Sequence, residues 1–145
     1  MILISHRGNL NGKKIDKENS PQYIKNALNE GFDVEIDVWH ADNNFYLGHD
    51  EPEFLIKAEF LQNKKLWCHA KNLEALLNLS KIKAVFFWHQ DDDYTLTSNG
   101  YIWTYPGKKL TKNSICVLPE INNVDFSNSC GVCSDYILKY KNYYD

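Results

Sequence analysis

Two carboxylates two positions apart, Glu35 and Asp37, lie in the stretch Phe32-Asp33-Val34-Glu35-Ile36-Asp37-Val38. The stretch alternates strictly. As a strand it sends Val34, Ile36 and Val38 to one face, and Glu35 and Asp37 to the other. Their Cβ atoms would then stand roughly 7 Å apart. Turned inward together, the pair repels and is costly to desolvate unless a cation lies between them. Hard oxygen donors of this kind suit Mg²⁺, Ca²⁺ or Mn²⁺. The same alternation suits an edge strand with its polar face in water, and periodicity alone does not choose.

His6 and His49 add a second kind of chemistry, since imidazole takes up and releases protons near neutral pH. Each closes a short apolar strand, with a glycine within two positions and a charged neighbour, Arg7 or Asp50. In parallel α/β architectures the carboxyl ends of strands converge on one rim, where ligands bind. His6, Glu35, Asp37 and His49 can therefore meet there.

The elements that would place them are short. Ile2-Leu3-Ile4-Ser5 reads as a buried strand. Ser20 then caps a helix with Pro21 at its first position; Ile24, Ala27 and Leu28 form one face, and Gly31 ends it. After the strand of Glu35 and Asp37, Asp42-Asn43-Asn44 signals a turn and Phe45-Tyr46-Leu47 returns as a strand. Strand, helix, strand is a βαβ unit and implies parallel pairing. Further strands are expected over 65–71, 84–88, 101–104, 115–118 and 131–137. Between the first two, Asn72 caps a helix carrying Leu73, Leu76, Leu77 and Leu79. These short strands with polar connections, in a chain far below the roughly 250 residues of a full (β/α)₈ barrel, predict an α/β fold. The expected form is a compact, trimmed TIM-type barrel with several short or missing helices, over 1–145 as one domain. A small doubly wound sheet is the alternative.

Composition narrows the class. Of 145 residues, 43% are hydrophobic and 24% charged, which fits a globular domain. A net charge of −3 with scattered lysines argues against a nucleic-acid partner, and Lys13–Lys14 read as solvated surface. No run approaches the roughly 20 apolar residues of a membrane helix, and Met1–His6 lacks the marks of an export signal. Cys130-Gly-Val-Cys133 has no second ligand pair at zinc spacing, so Cys68, Cys116, Cys130 and Cys133 read as reduced thiols of a cytoplasmic protein.

Four motif pieces in order, His6-Arg7-Gly8, Glu18-Asn19-Ser20-Pro21, Glu35-Ile36-Asp37-Val38 and Gly48-His49-Asp50, resemble the signature of glycerophosphodiester phosphodiesterases. Fainter likenesses follow at His69-Ala70-Lys71, Tyr101-Ile102-Trp103-Thr104 and 131–137. The resemblance implies metal-assisted attack on phosphorus. Glu35 and Asp37 would be metal ligands, with Glu18 and Asn19 lining the metal site. His6 and His49 would be the acid/base pair, and Arg7 and Lys71 would bind phosphate. The implied cofactor is one divalent cation, Mg²⁺ or Ca²⁺ first and Mn²⁺ next, and the implied partner a small phosphodiester.

The departures bear on metal and substrate. The family's third carboxylate ligand falls on His69, so either His69 ligates, favouring Mn²⁺ or Zn²⁺, or Glu120 or water substitutes. The insertion that reads glycerol is missing. Trp88, His89, Trp103 and Tyr105 lie near strand ends and could wall the cleft or simply pack. Three functions fit: hydrolysis of a glycerophosphodiester or related glycan or lipid headgroup, lyase chemistry ending in a cyclic phosphate, and non-catalytic binding of a phosphate ligand. Oligomeric state is not legible.

Overall fold

The computed structural model describes residues 1–143. β1 (Ile2–His6) leads through a long loop to α1 (Pro21–Asn29) and then β2 (Asp33–Ala41), which runs parallel to β1. Ser20 caps α1 by accepting from the Tyr23 amide, with Pro21 at the first turn. β2 turns through Asp42 and Asn43, at φ 51° and 63°, into antiparallel β3 (Asn44–Leu47). Two successive left-handed residues are what a two-residue hairpin requires, and Asp and Asn tolerate that backbone.

β4 (Phe54–Ile56) joins β3, and the one-turn α2 (Ala58–Leu61) precedes β5 (Leu66–Ala70), α3 (Leu73–Ser80) and β6 (Val85–Trp88). Then come β7 (Tyr94–Leu96), β8 (Ile102–Thr104), β9 (Ser114–Val117), β10 (Gly131–Ser134) and α4 (Ile137–Lys141).

All ten strands belong to one curled sheet in which eight run β4-β3-β2-β1-β10-β9-β8-β7, while β5 and β6 branch from β2. The parallel strands lie in the order β6-β5-β2-β1-β10-β9-β8. The expected TIM-type barrel is not formed. The sheet is a half-barrel, and only 18% is helical, in four short helices among the described residues. The physical reason lies in the connections. From β6 the chain enters a β7–β8 hairpin instead of a crossover helix, and no helix separates β8 from β9 or β9 from β10. Among the described residues no ladder joins β6 to β8.

Smaller expectations also shift. The expected strand over 131–137 stops at Ser134, and Ile137 opens α4 instead. In α3 the buried face is Ala75 and Leu79, while Leu73 and Leu77 are exposed.

Three clusters fill the molecule. Val34, Ile36 and Val38 of β2 pack with Leu66 and Cys68 against Ile24 and Ala27 of α1 and Ala75 and Leu79 of α3. A second cluster on the opposite face holds Ile4, Trp67, Phe87, Trp103, Ile115 and Cys133. Its Phe87 and Trp103 rings stack at 4.6 Å, and Trp103 and Trp67 lie 5.9 Å apart. Most of the sequence's large aromatics are therefore structural, and removing such a ring costs about 3–5 kcal/mol. A third cluster seats Ile137 and Tyr140 of α4 against Phe32, Cys116 and Val132.

Candidate active site

β2 is not an edge strand. It pairs with β1 on one side and β5 on the other, and its Val34, Ile36 and Val38 face packs on α1 and α3. Glu35 is 2% exposed and Asp37 0%, which removes the solvated-edge explanation of the pair. Both point to the face that carries Trp67, Phe87 and Trp103, at the carboxyl-end side of that aromatic layer.

Strand register decides the neighbours. His6 is level with Glu35, and Asp37 is level with His69 of β5. Partners in parallel strands project to the same face. Glu35, Asp37 and His69 accordingly bring one potential ligand atom each to within 4.8 Å of one another. His69 Nδ1 lies 3.3 Å from Asp37 Oδ1 and 3.7 Å from Glu35 Oε1. Its other nitrogen, Nε2, is 2.9 Å from the His89 carbonyl, so Nε2 carries the proton that it donates there.

Buried Asp37 is surrounded by donors. The Asn19 side chain clasps it, Nδ2 donating to Oδ2 and Oδ1 accepting from the Asp37 amide, both at 2.9 Å. Arg7 Nε stands 3.1 Å from Oδ2 and Lys71 Nζ 4.0 Å from Oδ1. Burial would raise the Asp37 pKa, but His69, Arg7 and Asn19 outweigh it and hold the carboxyl below its ordinary range. His69 is the reciprocal case. Burial would lower it, yet the two carboxylates push it up to about 9.

Arg7 and Asn19 both have left-handed backbones, at φ 57° and 65°. Non-glycine residues there are strained and persist where surrounding contacts fix them. Here the Arg7 amide donates to the Glu35 carbonyl at 2.9 Å, and the Asn19 amide to the Arg7 carbonyl at 3.1 Å.

His6 is held from behind. Its Nδ1 lies 2.7 Å from Asp135 Oδ1, and its Nε2 faces Glu35 Oε2 at 3.6 Å. The carboxylate partner keeps the proton on Nδ1 and leaves Nε2 to exchange one. Burial lowers the His6 pKa, but the Asp135 bond and the Glu35 charge more than reverse it, leaving it raised. Asn9, fully buried, donates from one amide to Asp135 Oδ1 at 2.9 Å and Glu18 Oε2 at 2.6 Å.

Glu18 and Glu120 are placed differently from their expected roles. Glu18 is engaged by Asn9 and by Arg7 Nη1 at 3.5 Å, and is not a member of the Glu35–Asp37–His69 cluster. Glu120 Oε1 accepts from Ser134 Oγ at 2.9 Å and the Asp135 amide at 3.0 Å, fastening the Asp135 segment. His49 sits on the rim with its side chain 44% exposed and Nδ1 2.7 Å from Asp50 Oδ1. Its glycine neighbour is required there. A Cβ on Gly48 would run into the Glu51 carbonyl oxygen.

Of these groups, His6, Arg7, Glu35, His49 and His69 line one cleft of about 340 Å³, together with Trp103, Tyr105, Leu118 and Ile121 among others, and Asp37 lies buried behind it. Lys13, read from the sequence as solvated surface, is exposed but also lines this cleft. Asp135 and Asn9 went unassigned in the sequence. Their signals are positional: Asp135 follows the apolar Gly131-Val132-Cys133 run, and Asn9 follows His6-Arg7-Gly8.

No protein-family profile, curated protein or solved structure matches this chain. No helix among the described residues is long and apolar enough to cross a membrane.

Proposed function

We propose that this chain is a metal-dependent phosphodiesterase that cleaves a small phosphodiester by histidine acid/base catalysis, as its resemblance to glycerophosphodiester phosphodiesterases implies. One observation carries the reading. Glu35 Oε2 and Asp37 Oδ1 are buried without a hydrogen-bond partner, inside a cluster of ligand geometry whose Glu35 and His69 line the same cleft as His6 and Arg7. His69 is near enough to Asp37 Oδ1 to attract it, but off-line for a hydrogen bond. Orphaned buried carboxylate oxygens are costly, and a divalent cation resolves that cost. Two oxygens and one imidazole suit Mn²⁺ well and Mg²⁺ acceptably.

Glu35, Asp37 and His69 would hold the ion, which when bound supplies electrophilic stabilisation of charge on phosphoryl oxygens. The chain's own residues supply the rest. Arg7 presents a planar fork to phosphate oxygens, and Lys13 adds positive charge at the mouth. His6, its proton fixed on Nδ1 by Asp135, takes a proton at Nε2 from the water that attacks phosphorus as the ester P–O bond breaks. His49 on the rim gives one to the leaving oxygen. The Trp67–Phe87–Trp103 layer closes the site from below and excludes water from that direction. We place this activity in the cytoplasm, where the four free thiols would stay reduced.

The test is turnover of bis(4-nitrophenyl) phosphate and of glycerophosphodiesters by purified protein with Mg²⁺, Ca²⁺ or Mn²⁺. Hydrolysis that a chelator stops is the expected result. A persistent cyclic phosphate in the phosphorus NMR spectrum would indicate the lyase reaction on the same residues. Absence of turnover with every metal would leave a phosphate-binding module.

A further inference from the structure

The cleft has two unlike kinds of lining. His6, Arg7, Lys13 and Glu35 make part of its lining charged, while Tyr105, Leu118 and Ile121 add an apolar surface. Tyr105 is 49% exposed and Ile121 61%. Large apolar side chains that far into water are unremarkable singly, but grouped beside a charged site they mark a binding surface.

The apolar wall is also fixed in place. Leu118 has a left-handed backbone at φ 48°, which a leucine adopts only under constraint. The constraint is visible on three sides. The Leu118 amide donates to the Cys133 carbonyl at 2.7 Å, and the Leu118 carbonyl accepts from the Ile121 amide at 3.1 Å. Between them, Glu120 Oε1 accepts from the Asp135 amide. The turn that presents Leu118 and Ile121 is therefore fastened to the segment that holds His6. On the other flank, Tyr105 stacks on His89 at 5.6 Å, and the His89 carbonyl is bound by His69.

Resting on the phosphodiesterase reading, we infer that the cleft takes an amphiphilic phosphodiester. Its phosphate lies toward Arg7 and Lys13, and an apolar ester substituent lies against Tyr105, Leu118 and Ile121. The cleft is at the small end of the roughly 300–1,000 Å³ range of ligand sites, so the substituent is of hexyl or phenyl size.

The experiment is calorimetric binding of inorganic phosphate and of methyl, propyl and hexyl phosphate to the intact chain with Mn²⁺ present. Each methylene buried on the apolar wall should tighten Kd about fourfold, the equivalent of about 0.8 kcal/mol. In Ile121→Ser and Tyr105→Ser, both exposed positions, that dependence should flatten while the Kd for inorganic phosphate stays within about twofold. Phenyl against cyclohexyl phosphate separates an aromatic occupant, favoured by the Tyr105–His89 stack, from an aliphatic one. Binding of inorganic phosphate with no gain from methyl to hexyl would overturn the inference and leave the phosphate site standing. No binding of any of these phosphates would overturn the phosphodiesterase reading, and the inference with it.

Discussion

Asp135 Oδ1 stands 2.7 Å from His6 Nδ1 although 129 positions separate the two residues. β1 and β10 are parallel neighbours with Ser5 level with Ser134, so the residues that come next, His6 and Asp135, meet. That contact fixes which nitrogen of His6 is free for proton transfer, and makes Asp135 a positioning residue for the proposed chemistry.

Asp135→Asn keeps the shape and removes the charge. Turnover should fall about 10²–10⁴-fold, with KM little changed. Asp135 contributes to the raised His6 pKa, so its loss should also move the acidic limb of the pH–rate profile to lower pH. An unshifted limb with full kcat would sink this role.

Glu35→Gln and Asp37→Asn should each weaken Mn²⁺ binding and activity together, whereas His6→Ala should lose activity and keep the ion. His69→Glu completes a carboxylate set and should move preference from Mn²⁺ toward Mg²⁺ or Ca²⁺. Titration calorimetry checks all four. Wild-type metal affinity in both carboxylate variants would remove them as ligands.

In metal-free protein the His69 pKa stands at about 9, above its ordinary 6.5. A group whose pKa rises on folding stabilises the fold fully below the unfolded pKa, and that contribution disappears as pH climbs through the folded value. The unfolding free energy of chelated protein, from urea titration, should therefore fall between pH 6.5 and 9, by roughly 1–3 kcal/mol. In His69→Gln this fall should vanish. An unfolding free energy rising over that interval contradicts the assignment.

Gly48→Ala tests the rim. The added Cβ collides with the Glu51 carbonyl, so the turn must open and carry His49 with it. Turnover should drop at least tenfold, while Mn²⁺ affinity, set by Glu35, Asp37 and His69, stays near wild type. Full activity in this variant would mean that His49 is not held where the chemistry needs it.

Much of the site could be read from local pattern. The Glu35/Asp37 alternation, the histidines closing apolar runs, and the Ser20 and Asn72 caps all depend on neighbours within a few residues, and each is found in place. Other features could not be read this way. Whether Glu35 and Asp37 face water depended on what the folded sheet packed over their side of β2. The number of parallel strands was close to legible, but the half-barrel was not, because the β7–β8 hairpin lies in a polar stretch with little periodicity. Glu18 and Glu120 are carboxylates of the right type whose surroundings gave them other partners.

The sequence by itself determined the chemical inventory of two close carboxylates, strand-end histidines, an arginine beside one of them and short apolar strands. Those features follow from residue type and a side-chain period of two, which act within a single element. Tertiary structure chose His69 over Glu120 for the carboxylate cluster, set Asp135 behind His6, and brought an apolar surface into the cleft beside the charged one. Those are relations between strands distant in sequence, set by register and by the curl of the sheet, and no local pattern encodes either.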